Sequence, residues 1–204
     1  MPRKNIVKQY VADQTYHIYS RGVAKQVIFF DEQDFGYFIG LFKRYLSIIK
    51  TQNNARIFYP NYHESLELNA FCIMPNHFHL LIHQRDAKAI TEFMKSLVTS
   101  YSMYFNKRHK RTGPVFESSF KASLISTDAY ALHISRYIHL NPKKWRTYDY
   151  SSIQYYSGDK SSDWLSTKRA LSGFEDIKEY FDFIADYENY KESIDEVRWE
   201  LADQ

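Results

Sequence analysis

The stretch LELNAFCIMPNHFHLLIH, residues 66–83, decides the fold of this 204-residue chain. Apolar side chains dominate Leu66–Met74, which predicts a strand, and Pro75-Asn76 predicts a turn directly after it. Phe78–His83 is again rich in apolar residues, so we expect it to pair back on the first strand as a β-hairpin.

The sequence on both sides of this hairpin alternates between strand and helix patterns. Tyr16–Ser20 and Phe120–Ile125 predict two further strands. Apolar residues at helical spacing predict helices at Glu32–Ile49, at Ala89–Arg108 and from Asp128 to the residue before Pro142. The order strand, helix, strand, strand, helix, strand, helix predicts an α+β fold of the ferredoxin-like split βαβ type. We expect an antiparallel sheet with helices packed on one face, followed by a mostly helical C-terminal extension with an amphipathic helix near Ile177–Tyr187.

The charge distribution divides the chain near residue 146. Residues 1–146 hold 21 Lys and Arg against 10 Asp and Glu, whereas residues 147–204 hold 6 against 14. A basic body suits a polyanionic partner such as nucleic acid, whereas an acidic extension fits a solvated helical face. We therefore expect a domain at 1–146 and an acidic extension at 147–204 that packs on or beside it.

Several protein classes are disfavoured by what the sequence lacks. Its single cysteine, Cys72, rules out a disulfide framework and favours a reducing cytoplasm. We find no signal-peptide pattern and no apolar run long enough to cross a membrane. Neither a glycine-rich phosphate loop nor a Gly-x-Ser-x-Gly, Cys-x-x-Cys or His-Glu-x-x-His motif occurs, so we expect no nucleotide cofactor.

The pair His77 and His79 is the first candidate site. Residues two apart on a strand face the same way, about 6.8 Å apart along the backbone. Both imidazoles can therefore converge on one metal ion, while Phe78, Leu80 and Ile82 point to a core on the other face. The simpler interpretation is two polar residues on an exposed strand face. The tight turn and the apolar hairpin around the pair favour the metal interpretation.

The segment YIHLNP, residues 137–142, is the second candidate site. Residues four apart on a helix share a face and lie about 6 Å apart along the axis, so Tyr137 and Asn141 are neighbours, with His133 one turn earlier. The Asn141 amide oxygen could be a third metal ligand beside the phenol. Alternatively, Tyr137 is a core residue and Asn141 ends the helix.

A basic belt surrounds the second candidate site. Residues 101–146 carry many cations and only Glu117 and Asp128 as anions. Such clusters neutralise phosphates and release counterions, although a solvated surface explains this feature equally well. The cations are Lys107, Arg108, Lys110, Arg111, Lys121, Arg136, Lys143, Lys144 and Arg146.

Together these motifs resemble single-tyrosine HUH transposases of the insertion-sequence type. The segment MPNHFHLLI (74–82) resembles the HUH motif, and YIHLNP resembles the segment that carries the family's nucleophilic tyrosine. The runs YHIYSRG (16–22), IFFD (28–31) and RTGPVF (111–116) are similar to the REP-associated branch. Tyr150-Ser151-Ser152 resembles a Trp-Ser-Ser segment with tyrosine in the tryptophan place. The resemblance covers about residues 15–157.

The resemblance implies an enzyme that cuts and rejoins single-stranded DNA flanked by hairpins. Tyr137 would attack the phosphate and form a 5′-phosphotyrosine. Mg²⁺ or Mn²⁺ would be held by His77, His79 and Asn141. Because a phenol has a pKa of about 10, its proton would need an acceptor, for which His133 and Lys143 are candidates. DNA contacts would come from the basic residues Arg21, Lys107, Arg108, Lys110, Arg111, Lys121, Arg136 and Lys143.

Some alternatives stay open at this stage. The chain could be a domesticated protein that binds repeat hairpins without transposition, a phosphodiesterase that uses water as nucleophile, or an RNA-binding ferredoxin-like module. Relatives of the two branches act as dimers or as monomers, so the sequence predicts either a monomer or a homodimer.

Overall fold

The computed structural model of the chain describes residues 10–118 and 120–187. Four strands form one sheet: β1 (Gln14–Arg21), β2 (Leu66–Met74), β3 (His77–Gln84) and β4 (Lys121–Ile125). Three long helices accompany them: α1 (Glu32–Leu46), α2 (Ala89–Arg108) and α3 (Asp128–His139). The C-terminal part adds α4 (Ile153–Tyr156), α5 (Lys168–Leu171) and α6 (Ile177–Ala185), and short 3-10 turns lie at Val23–Lys25 and Trp145–Thr147.

The sheet has the strand order β2-β3-β1-β4, and every pairing is antiparallel. This order confirms the predicted ferredoxin-like α+β fold, in which β1-α1-β2 and β3-α2-β4 form the two split βαβ units. The predicted hairpin is present, because Met74 pairs with His77 across the Pro75-Asn76 turn. Both central strands, β3 and β1, carry candidate site residues.

Side-chain alternation gives the sheet two buried faces. Ile18 of β1 and Phe78, Leu80 and Ile82 of β3 pack with α1 and α2 in the main core. On the opposite face, Ala70, Cys72 and Leu81 pack under Ala131, Ile134 and Ile138 of α3.

The prediction that the helices pack on one face is therefore wrong in one respect. The crossover helices α1 and α2 share a face, but α3 covers the other. It does so because β2 is apolar on both sides and Leu81 of β3 adds to its second face, and exposed apolar surface is unfavourable in water.

The start of α1 has a capping pattern that is typical of a helix N-terminus, with one difference. The Asp31 carboxylate accepts hydrogen bonds from the backbone N–H groups of Gln33 and Asp34, as an N-cap does. Asp34 reaches back one residue further than in a standard capping box and accepts from the Phe30 N–H at 3.0 Å. Its buried carboxylate also contacts Arg108 and His109, which ties the start of α1 to the end of α2.

The described part of the C-terminal segment covers the open edge of β2. Ser151 bridges to Cys72 and Leu165 bridges to Leu68, so backbone groups at this edge of the sheet are paired. Trp164 enters the main core. The predicted amphipathic helix is α6, which ends two residues earlier than expected; residues 188–204 lie outside the described residues. Within the described ranges, no helix is long and apolar enough to cross a membrane.

Gly22, at the end of β1, is a position where the fold leaves no room for a side chain. A Cβ there would lie 2.3 Å from the Gln26 carbonyl oxygen and 2.7 Å from Ile28 Cγ2. We expect Gly22→Ala to lower the free energy of unfolding by about 1–3 kcal/mol, the usual cost of overpacking. Chemical denaturation measures the change.

Gly36→Ala is the matched control. Gly36 is exposed in the interior of α1, and a Cβ there has no neighbour within 4 Å. We expect this variant to gain about 0.5–1 kcal/mol because alanine loses less backbone entropy in a helix. Equal effects of the two substitutions would contradict the steric explanation for Gly22.

Candidate active site

His77 and His79 begin β3 and lie on the face of the sheet that α3 covers. Their rings are 5.1 Å apart between centroids and nearly perpendicular. His79 is buried, whereas His77 is half-buried at the end of the strand. The structure therefore brings the two predicted ligands together, with His77 on the solvent side.

A neighbouring amide fixes which nitrogen of His77 carries a hydrogen. Asn76 Nδ2 donates to the Lys25 carbonyl oxygen at 3.1 Å, so Asn76 Oδ1 is the atom that faces His77 Nδ1 at 2.6 Å. An amide oxygen only accepts, so Nδ1–H must donate. In the neutral ring, Nε2 then presents a lone pair away from the turn.

Asn141 lies next to the lone pair on His77 Nε2. It lies two residues beyond the end of α3, where Pro142 prevents further helix, and its Oδ1 is 3.3 Å from His77 Nε2. With a neutral ring and this orientation of the amide, neither atom carries a hydrogen, so the contact brings two electron donors together. Asn141 Nδ2 is buried and has no hydrogen-bond partner among the described residues. A cation between the two donor atoms would turn an unfavourable contact into coordination.

Tyr137 lies over the histidines of its own chain. Its ring contacts His79 edge-on at 5.4 Å between centroids and His17 in the same way at 5.9 Å. The ring is half-buried at the margin of the apolar patch under α3. The predicted nucleophile and the predicted ligands therefore share one site.

His17 has no role predicted from the sequence, and the structure places it in this site. It is buried on β1, its ring is nearly parallel to that of His79 with the centroids 5.1 Å apart, and its Nε2 lies 2.9 Å from His79 Nδ1. Burial lowers the pKa of His17 to about 4, so the ring is neutral at neutral pH. Strand alternation was the available signal. His17 and Tyr19 are two residues apart on β1 and so lie on the same face of the sheet, and Tyr19 pairs with His79.

The other potential ligands near the pair are unsuited to the role. Cys72 pairs with His79 across β2, but burial raises the pKa of its thiol, which therefore stays protonated. His83 lies further along the same face and contacts Thr15 and Asp13 instead. Over residues 10–118 and 120–187, no three His, Cys, Asp or Glu side chains form a metal-binding group. A site here would thus depend on two histidines and the Asn141 amide.

Two of the predicted cations lie beside the histidines. Arg21 pairs with His77 across β1 and is ion-paired with Glu117 at 3.4 Å. Lys121 of β4 lies 5.5 Å from the ring centroid of Tyr19, which pairs with His79. Lys107, Lys110 and Arg111 lie at the end of α2 and in the loop after it, and Lys143 is exposed just beyond Asn141.

Arg136 is not a surface residue, so its prediction as a DNA contact is wrong. Its guanidinium stacks on Phe183 and Tyr187 and donates to the Phe183 carbonyl oxygen, and the side chain is 6% exposed. The sequence could not show that α6 covers this side of α3. The charge is stabilised by aromatic faces instead of phosphates.

Two further predicted residues have structural partners. Arg108 forms ion pairs with Asp31 and Asp34, which direct its guanidinium to the start of α1. His133 contacts Arg136 through Nδ1 and Phe183 through its ring, on the α6 side of α3. These contacts lie on the α6 side of α3, and the role of His133 as an assistant stays a prediction.

The region that holds this site is similar to known proteins. Residues 47–141, which include His77, His79, Tyr137 and Asn141, match the family model described as "Transposase IS200 like". This region, slightly under half of the chain, is similar to that family. The match confirms the family predicted from the motifs. No curated protein matches the chain.

Two solved structures are similar to this chain to different degrees. A REP-associated tyrosine transposase bound to a REP hairpin superposes with a TM-score of 0.53 at 13% identity, over 80% of this chain and 94% of that chain. A putative transposase from Deinococcus radiodurans R1 gives a TM-score of 0.40 at 19% identity, over 68% of this chain and 95% of that one. The first match shows that this chain has the same fold as that structure.

The burial of Arg136 predicts a structural role that can be measured. We expect Arg136→Ala to lower the free energy of unfolding by about 1–3 kcal/mol, because two ring contacts and a hydrogen bond are lost. Thermal or chemical unfolding gives the value. Lys143→Ala, at an exposed position on the same segment, is the control and should leave stability within about 0.5 kcal/mol. Equal stabilities of the two variants would mean that Arg136 does not hold α6 on α3.

Proposed function

We propose that this chain is a metal-dependent endonuclease and strand transferase for single-stranded DNA, with Tyr137 as nucleophile. One observation carries the proposal. Helix α3 and the residues just after it bring the Tyr137 ring and Asn141 Oδ1 over His77 and His79 of the same chain. A water-dependent phosphodiesterase would not need a tyrosine there, and an RNA-binding module would need neither feature.

The residues fit a divalent cation. His77 Nε2 and Asn141 Oδ1 present lone pairs to each other, and His79 can supply a second imidazole. Mg²⁺ or Mn²⁺ bound there would polarise the scissile phosphate and offset the charge that develops on it. Two imidazoles are softer ligands than Mg²⁺ prefers, so we expect Mn²⁺ to support the reaction well.

The chemistry is a reversible exchange of phosphate esters. The Tyr137 oxygen forms a bond to phosphorus while the bond to the 3′ oxygen breaks, and the phenol proton is replaced overall by a proton on that 3′ oxygen. The products are a 5′-phosphotyrosine and a free 3′-hydroxyl, which can reverse the step on the same or another strand. No nucleotide cofactor is needed because the ester bond is conserved.

The DNA strand would be held by the cations around the histidines. Arg21 and Lys121 flank the pair across β1 and β4, and Lys143 follows Asn141. Lys107, Lys110 and Arg111 extend this surface along the loop after α2. The relative bound to a REP hairpin supports a hairpin-bearing substrate for this chain as well.

We further propose that one chain forms a complete site. Tyr137 contacts its own His79, so no tyrosine from a second copy is required. The acidic segment from residue 147 would serve the domain at 1–146 by holding α3 in place, since α6 packs on α3 through Arg136 and through Tyr180, which bonds His139.

The nucleophile can be tested with a covalent-adduct assay. Labelled single-stranded hairpin oligonucleotides from repeats near the gene are incubated with protein and Mn²⁺ or EDTA, then run on denaturing gels. We expect a detergent-resistant protein–DNA band that requires Mn²⁺ and disappears in Tyr137→Phe. Tyr130→Phe, on the same helix two turns earlier, is the matched control and should keep the band.

Other outcomes would decide against this mechanism. Cleavage without an adduct that persists in Tyr137→Phe would favour water as nucleophile. Hairpin binding with neither cleavage nor adduct, across all oligonucleotides, would favour a protein that only binds repeats.

The ligand assignment predicts which histidines the metal needs. We expect His77→Ala and His79→Ala to abolish both Mn²⁺ binding and adduct formation, because each removes a ligand. His83→Ala, on the same strand face, should retain both, since His83 contacts Thr15 and Asp13. Titration with Mn²⁺ followed by electron paramagnetic resonance measures the binding. Loss of binding in His83→Ala alone would place the metal elsewhere.

A further inference from the structure

His17 lies beside His79 and Tyr137 in the candidate site, and no role has been given to it so far. Its Nε2 lies 2.9 Å from His79 Nδ1, and the two rings are nearly parallel. Its other nitrogen, Nδ1, is buried and has no hydrogen-bond partner among the described residues. A buried polar atom without a partner costs free energy, so its retention requires a reason.

The contact between the two rings sets the hydrogen on His79. Two neutral imidazoles at this distance share one hydrogen. If His17 Nε2–H donates, then His79 accepts on Nδ1 and carries its own hydrogen on Nε2. His79 Nε2 then has no lone pair for a cation. If His79 Nδ1–H donates, then His79 Nε2 offers a lone pair, and the hydrogen of His17 lies on the partnerless Nδ1.

His77 provides an internal precedent for the second arrangement. Its Nδ1–H donates to Asn76 Oδ1, which leaves Nε2 facing Asn141. Histidines that bind metals usually donate their other N–H to an acceptor, which fixes the ring and raises its basicity. Asn76 is that acceptor for His77, and His17 occupies the equivalent place for His79.

We propose that His17 is a positioning residue that accepts the Nδ1–H of His79 and so keeps His79 Nε2 available to the metal. This inference rests on the proposed function, because it requires that His79 binds a cation. His17 is not itself a ligand: its Nε2 is directed at His79, and its Nδ1 is buried.

The surroundings explain why an imidazole holds this place. Tyr19 and Tyr137 contact the His17 ring, and the side chain is 2% exposed. A carboxylate there would be desolvated without a matching cation, which is strongly unfavourable. A neutral imidazole accepts the same hydrogen bond without adding a buried charge.

The test compares two replacements of His17 in the full-length protein without DNA. Phenylalanine keeps a flat ring of similar size but cannot accept a hydrogen bond, whereas glutamine offers an amide oxygen as acceptor. Mn²⁺ affinity is measured by calorimetry, and the melting temperature is measured in EDTA. We expect His17→Phe to weaken Mn²⁺ binding by about 10–100-fold, with little change in melting temperature, and His17→Gln to restore most of the affinity.

The tautomer of His79 gives a second readout that does not depend on affinity. Long-range ¹H–¹⁵N correlation spectra in EDTA should show the hydrogen of His79 on Nδ1 in the wild type. His17→Phe should lose this preference.

The remaining outcomes overturn the inference in distinguishable ways. Wild-type affinity in His17→Phe would show that the metal site does not need the acceptor. Equal losses in His17→Phe and His17→Gln, with lowered melting temperatures, would show that His17 only packs the sheet. If the wild type itself binds no Mn²⁺, both this inference and the metal in the proposed function fail.

Discussion

The apolar patch on the second face of the sheet is the constraint on which the site depends. Ala70, Cys72 and Leu81 would lie in water if nothing covered them, and α3 covers them with Ala131, Ile134 and Ile138. Histidines occupy the end of the same face. Because α3 covers the patch, its C-terminal end lies over the histidines. This places Tyr137 and Asn141 next to them. Packing and site geometry thus have a common cause.

The described C-terminal segment fixes α3 from its outer side. His139 is hydrogen-bonded to Tyr180 of α6 and to Ser152, whose hydroxyl also contacts the backbone of Phe71 in β2. These groups are fully buried, and burial lowers the pKa of His139 to about 3, so the ring bonds as a neutral group. This series of hydrogen bonds, from α6 through His139 to β2, fixes the distance between α3 and the sheet. Rigid support of this kind is what a site with sub-ångström tolerances requires.

Much of the fold could be predicted because its elements carry strong local signals. The bounds of β2 and α2 agree with the sequence analysis, since a continuous apolar run and a regular helical period mark them. The position of α3 was missed, although the apolar residues on both sides of β2 indicate a strand buried on two faces. The fates of Arg136 and His17 depend on α6 and on strand register, which bring together residues far apart in sequence. Strand alternation indicates the face on which His17 lies, but no local pattern contains the strand register or the position of α6.

The placement of Tyr137 over its own histidines has a consequence for reaction order. An enzyme whose nucleophile and ligands come from one polypeptide needs no encounter between two protein molecules before it can react. Its rate per molecule is then independent of its own concentration, down to a few copies in a cell. Activity would be limited by how often a suitable unpaired strand becomes available, as happens when the duplex is opened for copying. The timing of the reaction would be set by the DNA rather than by accumulation of the protein.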